Sequence, residues 1–295
     1  MSEIAEPGVK RAKLAGDEGD QGTAETSKEA EKAPKEILLH ELERLQKVLS
    51  NILFEAKEHV RNSVEDFIED KVRKMGPMIG HYFSTFQSLN VMTRKDMDQA
   101  VKKMYSFKSI RDAEEELFQA EQDWDSFLKE VDHTFDSLCG SVNDKELVIG
   151  SYGPCELKLT DVSTERLIVF HFIKKAFDAS GFPAGARRWL KDTHCKLRMF
   201  VDPERHLYNA LGLRRSVAKT WSIPALVYYA EQKRAGRKLA AMFEEDDPNQ
   251  MGGDFILDEQ GRLALIHRSK ISTDRPPVEE LLSCVKDLNR AKANL

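Results

Sequence analysis

The most informative stretch of the chain is Met251-Gly252-Gly253-Asp254-Phe255-Ile256-Leu257-Asp258-Glu259-Gln260-Gly261-Arg262-Leu263-Ala264-Leu265-Ile266-His267. Two apolar runs, residues 255–257 and 263–266, lie on either side of a polar turn that contains Gly261. Short apolar runs around a glycine-containing turn are typical of two antiparallel strands. The stretch therefore predicts a β-hairpin near the end of the chain.

A second stretch lies upstream of the hairpin and reads Val201-Asp202-Pro203-Glu204-Arg205-His206-Leu207-Tyr208-Asn209-Ala210-Leu211-Gly212-Leu213. It predicts a strand over residues 197–201 and a short helix over residues 204–211. The Asp202 carboxylate can cap this helix, and Pro203 suits its first position because the N–H that proline lacks has no partner there. Arg205 can pair with an acidic neighbour.

The rest of the C-terminal half alternates between strand and helix signals. Residues 145–150 predict a short buried strand that ends at a glycine. Helices are predicted over residues 186–193, from Ile223 to Ala235 and from Val278 to about Arg290. This order indicates an α/β layer with one sheet covered by helices.

The N-terminal half has the periodicity of long amphipathic helices. Apolar residues recur every three or four positions from Ile37 to Val72, and Gly76-Pro77 ends the pattern. A further helix is expected over residues 78–89. Thr93 followed by Asp96 predicts a capped helix that continues to about Tyr105.

A heptad pattern follows and ends at Gly140. Its repeating apolar positions are Ile110, Leu117, Trp124, Val131 and Leu138. Such a stripe is buried either against another helix of the same chain or in a coiled coil with a partner chain. The chain can reverse at Gly76-Pro77, which favours an antiparallel hairpin of the two long helices. A partner or a second copy bound through residues 36–140 remains the alternative.

Composition excludes several classes of protein. The chain has 295 residues, a net charge of −5, 41% apolar and 32% charged residues, so no global basic footprint for nucleic acid is present. No apolar run is long enough to span a bilayer and no secretory signal is evident, so a cytoplasmic location is expected. The cluster Lys10-Arg11-Ala12-Lys13 leaves a nuclear location as an alternative. Residues 1–34 lack aromatic residues and predict a disordered tail.

The C-terminal motifs resemble those of a known family. The motifs are Ala186-Arg187-Arg188-Trp189-Leu190, Val201-Asp202-Pro203-Glu204-Arg205, Leu211-Gly212-Leu213, Phe255-Ile256-Leu257-Asp258 and Asp274-Arg275-Pro276. They resemble the AhpC/TSA-type peroxiredoxin-like proteins, relatives of selenoprotein U. The resemblance covers about residues 145–154 and 184–285. It implies a thioredoxin-like fold and a thiol-based antioxidant activity.

Two departures from the family pattern limit that implication. Residues 155–183 intervene where the family runs directly from a strand into a helix, and they include a strand-like run over 167–173. That segment is a surface insertion, an alternative exon, or a substitute edge strand. The second departure is the absence of a Cys-x-x-Cys or Cys-x-x-Ser after any strand. The N-terminal redox half of the domain is therefore expected to be missing.

The four cysteines, Cys139, Cys155, Cys195 and Cys284, lie far apart and are expected to be reduced. Cys195 is a weak catalytic candidate because Lys191, His194 and Lys196 would favour its thiolate. Cys139 ends a helix, where the backbone dipole disfavours a thiolate. The histidines and cysteines show no ligand spacing, so neither a metal nor a cofactor is expected.

The sequence thus predicts an α+β multidomain protein. Residues 35–140 form a long helical hairpin or coiled-coil region, and residues 141–295 form an incomplete thioredoxin-like domain with an insertion at about 155–183. The function expected is that of a non-catalytic or degenerate thioredoxin-like protein with an interaction region. The alternative is a thiol-dependent antioxidant oxidoreductase. A nuclear or vesicle-associated adaptor is a weaker idea, based on residues 10–13 and the long helices.

Overall fold

The part of the protein that the structure describes is mostly helical and contains one small antiparallel sheet. The computed structural model describes residues 22–139, 147–153, 169–172, 191, 194, 205–239 and 247–293. Within these ranges the side chains of residues 22–33, 139, 169–172 and 292–293 are left undescribed.

The described helices of the N-terminal half are α1 (Gly22–Asn62), α2 (Val64–Glu69), a 3₁₀ turn (Lys71–Met75), α3 (Met78–Ser88), α4 (Arg94–Lys103) and α5 (Lys108–Cys139). Those of the C-terminal half are α6 (His206–Ala210), α7 (Val217–Trp221), α8 (Ile223–Arg234) and α9 (Val278–Ala293). The strands are β1 (Val169–Phe172), β2 (Gly253–Leu257) and β3 (Leu263–Arg268).

The first long helix differs from its prediction at both ends. Helix α1 begins at Gly22 and contains Pro34, so the disordered tail over residues 1–34 is not confirmed. Residues 1–21 lie outside the described residues. The helix ends at Asn62 because Ser63 has an extended backbone (φ −161°), and the Ser63 hydroxyl accepts the Asp66 N–H to start α2.

The two long helices run in the same direction, so the predicted antiparallel pairing of α1 with α5 is wrong. Lys35, near the start of the described side chains of α1, places its Nζ 4.5 Å from the ring of Phe107, just before α5. Beyond the other end of α1, the Phe67 ring lies 5.8 Å from the Phe127 ring of α5.

The reversal at Gly76-Pro77 does occur, but it pairs α1 with α3. The Arg44 guanidinium of α1 donates to the His81 carbonyl at 3.2 Å. Nearer the start of α1, Glu41 accepts a hydrogen bond from Thr85 at 2.8 Å. The order of these contacts makes α3 antiparallel to α1. The helical hairpin is therefore built from α1 and α3, and α5 packs beside it.

The heptad stripe of α5 is buried within the chain. Ile110, Leu117, Trp124 and Val131 are at most 2% exposed, whereas Leu138 is 60% exposed. The first four belong to one apolar core with the stripe of α1. The side chains that would form a coiled coil with a partner are thus already covered by the same molecule.

Helix α4 has the start that its sequence predicts. The Thr93 hydroxyl accepts the Asp96 N–H, and the Asp96 carboxylate accepts the Thr93 N–H. This reciprocal capping satisfies two donors that a helix start leaves unpaired. The predicted helix over residues 93–105 is confirmed, with its last turn at Lys103.

Glu41 joins α1 to α3 and provides a pH-dependent contribution to stability. Its carboxylate accepts hydrogen bonds from Arg44 at 2.7 Å and from Thr85 at 2.8 Å. Burial acts to raise the pKa of Glu41, but the hydrogen bonds and the Arg44 charge outweigh it and leave the pKa below its usual 4.5. The ionised form is therefore the one that the folded state favours.

Replacement Glu41→Gln is expected to lower the free energy of unfolding at pH 7, because the charge-assisted bonds weaken. A carboxyl whose folded pKa is lowered contributes stability above its unfolded pKa, and that stability is lost as pH falls through the folded pKa. The difference between wild type and variant should therefore shrink below about pH 4.5. Urea unfolding of both proteins from pH 3 to pH 7 measures it. A difference that grows on acidification would contradict the assignment.

The sheet has the strand order β1-β2-β3, and both pairings are antiparallel. The predicted hairpin is confirmed as β2 and β3, with Gly261 in the turn at φ +77°. β1, which is residues 169–172 of the predicted run over 167–173, pairs along β2 as an edge strand, one of the three alternatives.

The predicted strand over residues 145–150 is wrong in the part that the structure describes. Residues 147–150 form a turn, and Val148 and Ile149 are 62% and 68% exposed. Gly150 has φ +85°, which breaks an extended backbone, and its N–H donates to the Leu263 carbonyl at 2.8 Å. The segment therefore crosses beside β3 as a turn, with Val148 and Ile149 in solvent and Leu147 packed against the apolar cluster that includes Phe255.

The remaining C-terminal predictions are met in part. The helices predicted from Ile223 and from Val278 are confirmed as α8 and α9. The short helix begins at His206, later than predicted, and Arg205 before it has a left-handed backbone (φ +58°). Asp202 and Pro203 lie outside the described residues, as do residues 197–200 and, apart from Lys191, the predicted helix over 186–193.

Gly253, at the start of β2, has no room for a side chain. A Cβ at this position would lie 2.5 Å from the His267 carbonyl oxygen of β3. We expect Gly253→Ala to lower the free energy of unfolding by about 2 kcal/mol, because the two strands must separate. Gly80 of α3 is the control, since a Cβ there meets nothing within 4 Å. Gly80→Ala should leave stability unchanged or raise it, and equal losses in thermal unfolding of the two variants would refute the steric argument.

Candidate functional site

Helix α5 supplies carboxylates to the first turns of two C-terminal helices. The Asp132 carboxylate accepts hydrogen bonds from the Ser216 hydroxyl at 2.5 Å and from the backbone N–H groups of Val217 and Ala218 at 2.8 and 3.1 Å. Two turns earlier on α5, Asp125 accepts the Ile223 N–H at 2.9 Å. We call this contact of α5 with the starts of α7 and α8 the α5 junction.

Both carboxyls of the α5 junction are partly buried. Burial raises the pKa of Asp132, and the hydrogen bonds from Ser216, Val217 and Ala218 act against that rise. Burial likewise raises the pKa of Asp125, opposed by the Ile223 N–H. Helix starts present unpaired N–H groups and partial positive charge, so acidic side chains of another helix can serve as their caps.

A chain of buried hydrogen bonds passes through the α5 junction. The Trp124 indole N–H donates to the Trp221 carbonyl at 2.9 Å, and the Trp221 indole N–H donates to the Asn249 side-chain oxygen at 2.9 Å. The Asn249 amide then donates to the Ile68 carbonyl at 2.7 Å. Helices α5, α7 and α2 are thereby tied to the loop that precedes β2.

An ion-pair network lies beside this chain. Asp247, whose side chain is 4% exposed, lies 2.9 Å from the Arg205 guanidinium and 2.8 Å from that of Arg215. Arg215 also donates to Glu69 of α2 at 2.7 Å. The prediction that Arg205 pairs with an acidic neighbour is confirmed. Asp247 links the start of α6 to the start of α7, and Glu69 links the start of α7 to the helical region.

Helix α8 is bound to the helical region along its length. The Arg94 N–H at the start of α4 donates to the Glu231 carboxylate at 2.8 Å. Nearer the end of α8, Arg234 donates to the Val91 carbonyl at 3.0 Å, and the Lys233 Nζ lies 4.5 Å from the Phe83 ring. The buried face of α8 therefore belongs to the same core as α1 and α5.

A buried polar cluster under α4 was missed by the sequence analysis. Glu121 of α5 accepts the Tyr82 hydroxyl at 2.6 Å and two hydrogen bonds from the Arg94 guanidinium, at 2.5 and 3.0 Å. Burial raises the pKa of Tyr82 well above its usual value, and the Glu121 charge adds to the rise. Glu121 lies next to Ala120 of the apolar stripe and about one turn before Trp124. An acidic residue so close to a buried stripe was the signal in the sequence that could have revealed this cluster.

The described thiols are poorly suited to catalysis. Cys195 and Cys155 lie outside the described residues, and Cys139 is the last residue of α5. Cys284 of α9 is a free, half-buried thiol, and burial together with Asp287 and Glu280 raises its pKa. No helix in the described ranges has a cysteine in its first turn, the position that lowers a thiol pKa.

The described residues contain neither a metal site nor a membrane-spanning helix. Among the described residues, no group of three or more His, Cys, Asp or Glu side chains could hold a metal ion. None of the helices that the structure describes is both long and apolar enough to cross a bilayer. The α5 junction is therefore the best-defined polar site among the described residues. Its carboxylates accept hydrogen bonds from hydroxyl and N–H groups of the same chain.

In the described residues of the C-terminal half, helices lie beside an antiparallel hairpin. One comparison finds a similarity to a known family in this region. Residues 179–270 match the family model of the AhpC/TSA antioxidant enzymes. The match supports an AhpC/TSA thioredoxin-like family for the C-terminal region, and it includes α6, α7, α8, β2 and β3. It spans about a third of the chain. Searches of curated proteins and of solved structures found no match.

The α5 junction can be tested through Asp132. Asp132→Ala is expected to lower the free energy of unfolding by about 2 kcal/mol, since three donors lose their acceptor at a helix start. Asp132→Asn keeps one oxygen acceptor and should lose about half as much. Urea unfolding at pH 7 measures both. Glu130→Ala, which removes an exposed acidic side chain of the same helix, should have little effect, and an equal loss from it would argue against a specific cap.

Proposed function

We propose that the chain is a non-catalytic thioredoxin-like protein whose helical region serves for interaction. The family match supports the thioredoxin-like part of this proposal for the C-terminal region. The division into residues 35–140 and 141–295 remains part of the proposal, with one addition from the packing. Helices α7 and α8 follow residue 140, yet they share a core with α1 and α5.

The occupation of helix starts is the observation that supports a non-catalytic role. A reactive thiol in a thioredoxin-like domain needs a helix start or a cation to lower its pKa. The starts of α7 and α8 are instead capped by Asp132 and Asp125. A thiolate placed at either start would meet the capping carboxylate, which disfavours a second negative charge.

An interaction role requires a surface that the intramolecular core leaves exposed. On the outside of the long helices, Phe54 of α1 is 65% exposed and Phe118 of α5 is 55% exposed. Large aromatic side chains are enriched at protein interfaces because they bury much apolar area at low entropic cost. A partner or a second copy would therefore bind residues 36–140 on these outer faces, since the stripes are covered.

Catalysis is tested by peroxide consumption with dithiothreitol as the reductant. We expect the full chain to consume hydrogen peroxide no faster than a variant in which all four cysteines are replaced by serine. Each protein is first checked for native circular dichroism. Faster turnover by the wild type, abolished in the four-serine variant, would overturn the non-catalytic assignment.

A thiol-dependent antioxidant is the second candidate, and the family match is what favours it. The matched residues 179–270 include Cys195 and carry the description of antioxidant enzymes. If this candidate holds, Cys195→Ser abolishes peroxide consumption. Cys284→Ser, which changes a thiol beyond the matched residues, leaves the rate unchanged. Equal rates in wild type and Cys195→Ser would eliminate Cys195 as the nucleophile.

The interaction role is tested by light scattering and by cross-linking of the full chain. Phe54→Ser and Phe118→Ser are expected to weaken self-association or binding of a recovered partner. Leu282→Ser is the control, because Leu282 is 52% exposed on α9, outside the helical region. Unchanged association of both phenylalanine variants would exclude the outer faces of α1 and α5 as the binding surface.

A further inference from the structure

The turn that joins α4 to α5 combines exposed cations with exposed aromatic rings. We call residues 102–111 the basic turn. It contains Lys102, Lys103, Lys108 and Arg111 and no acidic residue. The two lysines that end α4 are exposed, and the Lys108 side chain is 83% exposed. A local charge of +4 in ten residues contrasts with the net charge of −5 for the whole chain.

The aromatic side chains of the basic turn extend into solvent beside these cations. Tyr105 is 49% exposed and Phe107 is 39% exposed. The Lys35 Nζ lies 4.5 Å from the centre of the Phe107 ring, and the Arg111 guanidinium lies 5.9 Å from that of Tyr105. Ile37 of α1, which is 47% exposed, extends the apolar surface at this end of the helical region.

The backbone of the basic turn is held in place from within. The Arg111 guanidinium donates to the carbonyls of Tyr105 and Ser106 at 2.7 and 3.1 Å. Met104 packs against the core and Ile110 is fully buried. The exposed rings and ammonium groups are thus presented by an anchored turn, so binding would require little further ordering of the backbone.

The charges of the basic turn are largely free for an external partner. In the described part of the chain, Lys102 and Lys103 form no ion pair, and Lys108 lies 3.9 Å from Asp112 in an exposed pair. Exposed pairs of this kind contribute little energy and exchange readily.

We propose that the basic turn docks the protein onto a membrane surface that contains anionic lipid headgroups. Lysine and arginine are attracted to the negative surface potential of anionic lipids. Tyrosine and phenylalanine rings insert at the boundary between headgroups and acyl chains, where an apolar body and a polar edge are both accommodated. The turn is a short connection between two helices, and its side chains point into solvent. Such a surface fits a planar bilayer better than it fits an extended peptide ligand.

The test is co-sedimentation of the full chain with vesicles of phosphatidylcholine alone and with 30% phosphatidylserine. Binding is expected only to the anionic vesicles and should weaken as salt rises. The double variant Lys102→Gln/Lys103→Gln should weaken the binding by roughly tenfold or more, since each cation near such a surface contributes to the attraction. Tyr105→Ser/Phe107→Ser should also reduce it.

Leu282→Ser is the control, because it removes an exposed apolar side chain of α9 that lies outside both the basic turn and the proposed interaction surface. It should bind anionic vesicles like the wild type. Circular dichroism of each variant verifies that the fold is retained. The proposal is overturned if the wild type ignores anionic vesicles, if the basic-turn variants bind as well as the wild type, or if a single-stranded oligonucleotide binds the turn while vesicles do not. None of these results bears on the peroxide assay, so the two proposals fail separately.

Discussion

Trp124→Ala is expected to lower the free energy of unfolding by about 4 kcal/mol, within the usual range for a buried tryptophan. Trp124 is fully buried in the core that α1, α5, α7 and α8 share. Its loss leaves a cavity, and the Trp221 carbonyl loses the indole N–H that it accepts at 2.9 Å. The loss should therefore combine a packing cost with the cost of an unpaired buried acceptor.

Urea unfolding followed by circular dichroism measures this loss. Trp124→Phe separates the two causes, because it fills most of the volume but donates no hydrogen bond. It should cost less than Trp124→Ala. Phe118→Ala, a large-to-small change at an exposed position of the same helix, should be close to neutral. A small loss from Trp124→Ala would mean that α7 and α8 do not share the core of α5.

Glu121→Ala is expected to be nearly as damaging, at about 3–5 kcal/mol. The substitution removes the main counter-charge of the Arg94 guanidinium. The Arg94 side chain is only 25% exposed, so water replaces that counter-charge poorly. The Tyr82 hydroxyl also loses its acceptor, and Tyr82 is fully buried. Asp98 remains as a partner of Arg94 at 2.8 Å, which sets the loss toward the lower end of that range.

Most of the expected loss in the free energy of unfolding should come from leaving the Arg94 cation unpaired. Less of it should come from losing the attraction between Arg94 and Glu121. Glu121→Gln retains an acceptor for Tyr82 and Arg94 and should cost less than Glu121→Ala. The double variant Arg94→Met/Glu121→Ala should recover part of the stability that Glu121→Ala loses, because no buried charge is left. Additive losses in the double variant would show that Arg94 and Glu121 contribute independently.

Features that depend on neighbours in sequence were predictable. The heptad of α5, the Thr93–Asp96 capping box and the β2–β3 hairpin all follow from spacing over a few residues. Such patterns record which face of an element is buried or which N–H needs a cap. The family resemblance likewise depends on local motifs, and the comparison over residues 179–270 agrees with it.

Features that depend on distant partners were not predictable. An apolar stripe indicates that one face of a helix is buried but not which element buries it. The stripe of α5 therefore did not determine whether α1 runs parallel or antiparallel to it. The contact of Lys35 with Phe107 decides that direction. In the same way, Asp125 and Asp132 have the pattern of solvent-facing acids on a heptad helix. Their role as caps exists only because α7 and α8 lie against that helix.

The sequence alone determined the positions of α3, α4, α5, α8, α9 and the hairpin, that the chain has no Cys-x-x-Cys motif, and which family its C-terminal region resembles. These properties depend on residue types and short spacings, which are local. The tertiary structure decided that α1 pairs with α3, that α5 runs parallel to α1, and that two helices of the family region complete the helical core. Long-range packing and the pairing of buried charges select these arrangements, because only contact between distant segments removes their apolar and polar groups from water.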